Sequence, residues 1–110
     1  MTAMTIDVLG LGYTAVDELL YIDAYPPADA KIPVRRRVRQ CGGLAATALV
    51  AASRLGCRCA YAGTLGGDES SQWVLQRLQA EGIDVTHVRR CAEAWPVRST
   101  IIVDQARHTR

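Results

Sequence analysis

The sequence predicts an α/β domain built on a mainly parallel sheet, and three observations carry that prediction. Short apolar runs such as TIDVLG (residues 5–10) stop at glycine, as strands buried on both faces do. Two helix-like segments, residues 44–55 and 69–80, stand between such runs, the alternation that parallel strands need. Further strand-like stretches between residues 18 and 40 precede the first helix and point to a flap beside the main sheet.

Taken in order, residues 5–10 form the first strand. Residues 18–25 (ELLYIDAY) are rich in large apolar and aromatic side chains and end at Pro26-Pro27, which predicts a second strand closed by the prolines. In residues 31–40 (KIPVRRRVRQ), alternation puts Ile32, Val34 and Val38 on one face and Lys31, Arg35, Arg37 and Arg39 on the other. Pro33 confines that strand to a sheet edge or to its own start. The basic run RRRVR fits phosphate or nucleic acid, but it fits better the charged outer face that keeps an edge strand from pairing with other chains.

After Cys41-Gly42-Gly43, the run LAATALVAASRL (residues 44–55) is apolar nearly all round and stops at Gly56, which predicts a closely packed, buried helix. Residues 58–63 read as a strand. Asp68 is placed to cap a helix over Glu69 to Ala80, whose Val74, Leu75 and Leu78 share a face and which ends at Gly82. Strands over residues 84–90 and 99–104 complete the reading. Cys41, Cys57, Cys59 and Cys91 lack CxxC spacing and read as reduced, partly buried thiols rather than a zinc site, with Cys57 and Cys59 on one face of their strand.

With 110 residues, room exists for one small core. A composition of 49% hydrophobic and 22% charged residues, with a net charge of +2, is that of an ordinary globular chain and too balanced for bulk nucleic-acid binding. No apolar run reaches the roughly 20 residues of a membrane span, and MTAMTID lacks the basic and apolar segments of a signal peptide. The expectation is a cytoplasmic protein that uses neither membrane nor nucleic acid.

DVLGLGYTAVD (residues 7–17) can be read in two ways. Gly10, Gly12 and Ala15 fit the GxGxxG/A turn of a dinucleotide-binding unit. That reading needs a helix directly after the turn, whereas LLYI is a solid apolar block and Pro26-Pro27 stand where the next strand belongs. The better reading lets Gly12 end the first strand and delivers Asp17 to the carboxyl edge of the sheet, where ligands of open α/β sheets bind. A carboxylate there accepts charge-strengthened bonds from two hydroxyls of a polyol, although Asp17 also suits a plain turn or cap.

The stretch CGGLAATALVAASRLGCRCAYAGTLGGDESSQWVLQRLQAEGIDV resembles the first signature region of the ribokinase (PfkB) family of carbohydrate kinases. A di-glycine opens an alanine-rich helix ending in RLG, followed by a short strand, a GxDxxG-like turn at Gly66, Asp68 and Ser71, and a helix leading to EGID. GLGYTAVD and WPVRSTIIVD fall where the family has its first strand and a lid-side strand, so the resemblance runs from about residue 5 to the end.

It implies a ribokinase-like three-layer α/β/α fold with a mainly parallel sheet and a small β lid (strands about 18–40 and 97–110), incomplete at its C-terminus. It also implies substrate-binding roles for Asp17, Gly42, Gly43 and Thr47. Asp17 would bind sugar hydroxyls and the Gly42-Gly43 pair would act as a lid hinge. Thr47 stands where relatives usually carry an asparagine, and Ala15 replaces an asparagine found in some relatives, which weakens the case for a ribose-type site; Thr47 equally suits a back-bond to its own helix.

The implied activity is ATP- and Mg2+-dependent phosphorylation of a sugar or nucleoside-like alcohol. The family's DTxGAGD-like motif, which holds the transferring phosphate and supplies the base, does not occur in these residues, so this chain by itself is expected to be inactive, with no catalytic, cofactor or metal residue of its own. VDQARHTR resembles the opening of a family hairpin whose second strand begins near Thr109. Two rival readings stand beside this one: a non-enzymatic fragment or self-associating module, with a homodimer through the β lid, and a dinucleotide-binding protein.

Overall fold

The computed structural model describes residues 5–110. Of the stretch MTAMTID weighed as a leader, residues 1–4 lie outside the described residues. The elements run β1 (Val8–Gly10), β2 (Ala15–Ile22), β3 (Arg36–Gly42), α1 (Leu44–Arg54), β4 (Cys59–Tyr61), β5 (Thr64–Leu65), α2 (Glu69–Ala80), β6 (Arg89–Arg90) and β7 (Val97–Asp104). They fall into two compact units, the chain up to Val16 with Cys41–Val97, and Asp17–Gln40 with Arg98–Arg110.

The first unit is the α/β part. β1 pairs with β4 in parallel, Val8 opposite Cys59 and Gly10 opposite Tyr61, and Ala60 bridges in parallel to Asp84. α1 and α2 lay apolar faces on these strands, burying Ala46 and Leu49 from α1 and Val74, Leu75 and Leu78 from α2 in one cluster with Val16, Cys59, Tyr61, Leu65 and Ile83. Each large apolar side chain so enclosed contributes about 1.5–3 kcal/mol. Parallel strands are joined by helices because a crossover must cover the sheet face, which is the logic read from the apolar runs.

α2 matches its predicted span. The Asp68 carboxylate accepts the Ser71 N–H at 3.3 Å, and the buried Ser71 hydroxyl accepts the Gly66 N–H at 2.9 Å. The GxDxxG-like turn is therefore a hydrogen-bonded latch that satisfies donors a helix start leaves open. Arg90 closes it from the far side, its Nε donating to the Gly66 oxygen at 2.7 Å.

The second unit is a three-stranded sheet in the order β3-β2-β7, with Leu19 and Ile22 buried. Bonds from Val97 N to Thr14 O at one end and Gln105 N to Ile22 O at the other run β7 and β2 in the same direction. The basic run is engaged within the sheet. Arg35 bonds Asp23 at 2.9 Å, Arg37 bonds Glu18 at 2.7 Å, and Arg36 lies 4.1 Å over the Tyr21 ring. β3 is an outer strand among the described residues, as the charged-edge reading requires.

Several expectations are corrected. α1 is not buried all round: only Ala46 and Leu49 are enclosed, while Leu44 and Leu55 are 76% and 86% exposed, because the helix meets the strands along one face. The strand expected over 31–40 begins only at Arg36. Pro33 removes a ladder donor, and Ile32 and Val34 lie exposed in irregular chain. The preceding strand stops at Ile22 rather than Tyr25, and β1 ends at Gly10, two residues before Gly12.

Residues 84–90 do not form one strand. The Asp84 carboxylate takes the Thr86 N–H at 2.9 Å, and this turn leaves only Arg89–Arg90 to pair with β5. β5 itself was not expected. Cys57 lies outside the strand that holds the buried Cys59, and none of the four cysteines forms a disulfide among the described residues.

The end of β7 begins a hairpin. Asp104 and Thr109 exchange N–H···O bonds of 2.9 and 3.2 Å, and Asp104 is buried with its carboxylate accepting the N–H groups of Tyr25 at 3.0 Å and Arg107 at 3.1 Å. The Tyr25 N–H first, then the other backbone donors and the Arg107 charge, hold the Asp104 carboxyl below the usual aspartate range. A lowered folded-state pKa means stability present above the unfolded value of about 4 and lost as pH falls through the folded one. Acid titration of folding should therefore show Asp104→Asn flattening the fall in stability below about pH 4; identical slopes in both proteins would exclude the staple.

Candidate functional site

Asp17 is the third residue of β2, half-buried in the second unit. Its Oδ1 accepts the Ser99 hydroxyl from β7, leaving Oδ2 without a partner among the described residues. Period-two alternation puts Asp17, Leu19 and Tyr21 on one face of the strand, so a carboxylate stands beside a buried leucine. Ser99 was missed in the sequence. The available signal was a small hydroxyl residue two positions before the apolar run at residues 101–103 of β7.

Gly42, Gly43 and Thr47 meet at the start of α1 in the first unit. Gly42 ends β3 and is buried; Gly43 is the N-cap residue, at φ 94° and ψ 150°. This conformation is close to glycine-only. A Cβ at Gly43 would also stand 2.8 Å from the Thr14 Cα and the Tyr13 oxygen, and 2.9 Å from the Ala15 nitrogen. Both the dihedral and the close approach of backbone demand glycine here. No side chain caps α1, and no acidic residue occupies its first turn.

Thr47 donates its N–H to the Gly43 oxygen at 3.0 Å and is exposed, with no hydroxyl partner among the described residues. It is available to a ligand, and the back-bond to its own helix is not formed.

No helix follows the Gly10-Gly12 turn; β2 does. The dinucleotide reading fails on that point. Nor does the second glycine-rich stretch, GTLGGD, fit a nucleotide phosphate, since Asp68 and Glu69 put acidic side chains at the start of α2. No group of three or more His, Cys, Asp or Glu able to hold a metal occurs among the described residues. No helix among them is long and apolar enough to cross a membrane.

A parallel α/β unit with a glycine-bound helix start, and a small sheet carrying an open carboxylate, define a class that comparison identifies. The pfkB family carbohydrate kinase pattern matches residues 12–110. The chain belongs to that family, and its fold is the ribokinase-like one. It is similar to the nucleoside kinase of Methanothermobacter thermautotrophicus, 32% identical over 79 residues, which span 72% of this chain and 26% of that protein. The fructokinase of Halothermothrix orenii aligns at a TM-score of 0.73 and 25% identity, over 92% of this chain and 35% of that one. The aminoimidazole riboside kinase of Salmonella enterica, solved with aminoimidazole riboside and an ATP analog, aligns at 0.63 and 28%, over 87% and 28%. The chain thus spans about a third or less of the length of these relatives.

Proposed function

We propose that the chain is the N-terminal part of a ribokinase-like domain and supplies part of the alcohol site of a kinase that transfers the γ-phosphate of ATP to a sugar or nucleoside-like substrate. The observation that carries this is Asp17, with one oxygen held by Ser99 and the other open to accept substrate hydroxyls. Gly42 and Gly43 act as the hinge of a lid made from residues 18–40 and 97–110, and the Thr47 hydroxyl adds a weaker contact. ATP and Mg2+ are the family's reagents. No step is assigned to either of them within this chain. The working compartment is the cytoplasm. Self-association, where it occurs, uses the β7 side of the lid sheet, because the arginines of β3 would repel a second β3.

The test is release of ADP from ATP and Mg2+ over a panel of ketoses, aldoses and nucleosides. The intact kinase should show alcohol-dependent turnover, and the 110-residue chain alone should show none. Turnover by the chain alone would refute the division of labour, and alcohol-independent release by the intact protein would refute the kinase reading.

A further inference from the structure

Tyr61 is wholly buried, and its hydroxyl donates to the Gly12 carbonyl oxygen at 2.7 Å. Buried tyrosines commonly find such an acceptor. What sets this one apart is where the acceptor lies: in the irregular segment that leaves the carboxyl end of β1, not in a strand or helix with its own ladder. Room for the hydroxyl depends on Gly63, since a Cβ there would collide with it and would stand 2.8 Å from the Gly12 oxygen.

The segment from Gly12 to Ala15 is gripped at other points as well. Gly12 sits at φ 135°. Tyr13, Thr14 and Ala15 abut Gly43 with no space for a side chain between them, and the Thr14 oxygen accepts the Val97 N–H at 3.1 Å. The Thr14 side chain is buried, its hydroxyl close to that of Tyr61 but without a partner of good geometry among the described residues. Gly12 O is therefore the point at which a deep core side chain takes hold of the segment. Burial pushes the Tyr61 phenol up, so it remains a donor throughout the neutral range.

We infer that Tyr61 is a positioning residue for the alcohol site, its hydroxyl fixing the Gly12–Ala15 segment that seats the Gly43 turn and runs directly into Asp17. This rests on the roles proposed above for Asp17 and Gly43. A group that only places a binding carboxylate acts on substrate affinity more than on turnover.

The experiment is initial-rate kinetics of the intact kinase at saturating ATP, with its best alcohol substrate varied. Tyr61→Phe should raise KM about 3- to 10-fold, the effect of one neutral hydrogen bond, and leave kcat within about twofold. Gly63→Ala displaces the hydroxyl while keeping the tyrosine and should reproduce the effect. Leu78→Val, a core change in α2, should lower the melting temperature and leave KM alone. Unchanged KM in both the Tyr61 and Gly63 variants overturns the inference, as does a KM rise of the same size in Leu78→Val, which would mark general loosening of the core. A wild-type enzyme that phosphorylates no alcohol fails at the earlier step, and the inference falls with the proposed function.

Discussion

Gly43→Ala is expected to cost about 3–5 kcal/mol of folding stability, from a dihedral other residues avoid and from overpacking against backbone. The Cβ would press on atoms of Tyr13, Thr14 and Ala15, none of them the far end of a flexible side chain, so the strain has nowhere to dissipate. Against total stabilities of about 5–15 kcal/mol, this leaves a chain near its unfolding threshold. Two other glycines supply the scale. Gly56 has φ 98° but open space around it, so alanine there should cost only the dihedral, about 1–2 kcal/mol. Gly67 has neither a positive φ nor a near neighbour, and alanine should be close to neutral. Chemical denaturation of the three variants should rank them in that order; equal losses at Gly43 and Gly56 would show that the contact with residues 13–15 carries no weight.

Asp17→Asn should weaken binding of the alcohol substrate about 10- to 100-fold, because charge-assisted hydrogen bonds to hydroxyls become neutral ones. The amide keeps the shape of the side chain and can still accept the Ser99 hydroxyl, so the sheet around it should be unaffected. Ser99→Ala should have a smaller effect in the same direction, by freeing Oδ1 to swing away from its set position. Calorimetric titration of the intact kinase with its substrate separates the two roles. An asparagine variant of undiminished affinity would reduce Asp17 to a strand residue with a hydroxyl neighbour.

Much of the architecture was legible because the physical signals were strong and local. α2 could be bounded from Asp68 and Gly82 alone, since a cap and a left-handed terminator act within one turn. The choice between a dinucleotide turn and a second strand rested on the apolar block LLYI and on Pro26-Pro27. Less legible were features settled by distant partners. α1 reads as apolar all round because alanine is tolerated on either face, and only its contact with β1 and β4 determines that Leu44 and Leu55 point outward. β5 and β6 are two residues each and carry no periodicity at all. At the candidate site, Asp17 drew notice as a carboxylate following the glycine turn, and Gly43 through the family resemblance. Ser99 and Tyr61 did not, because a hydroxyl in an apolar strand looks the same whether it faces solvent, a carboxylate or a carbonyl.

The pairing of β1 with β4 fixes an order of events during synthesis. Val8 finds its partner only when Cys59 has been made, and the bridge from Ala60 waits for Asp84. At about 5–20 residues per second, the first strand spends several seconds without a sheet to join. Closing so long a loop is entropically costly until α1 supplies apolar surface to reward it. Leu49 and Ala46, the buried face of α1, are thus the residues on which early collapse depends, and a nascent chain halted before Cys59 would present β1 as an unpaired, aggregation-prone edge.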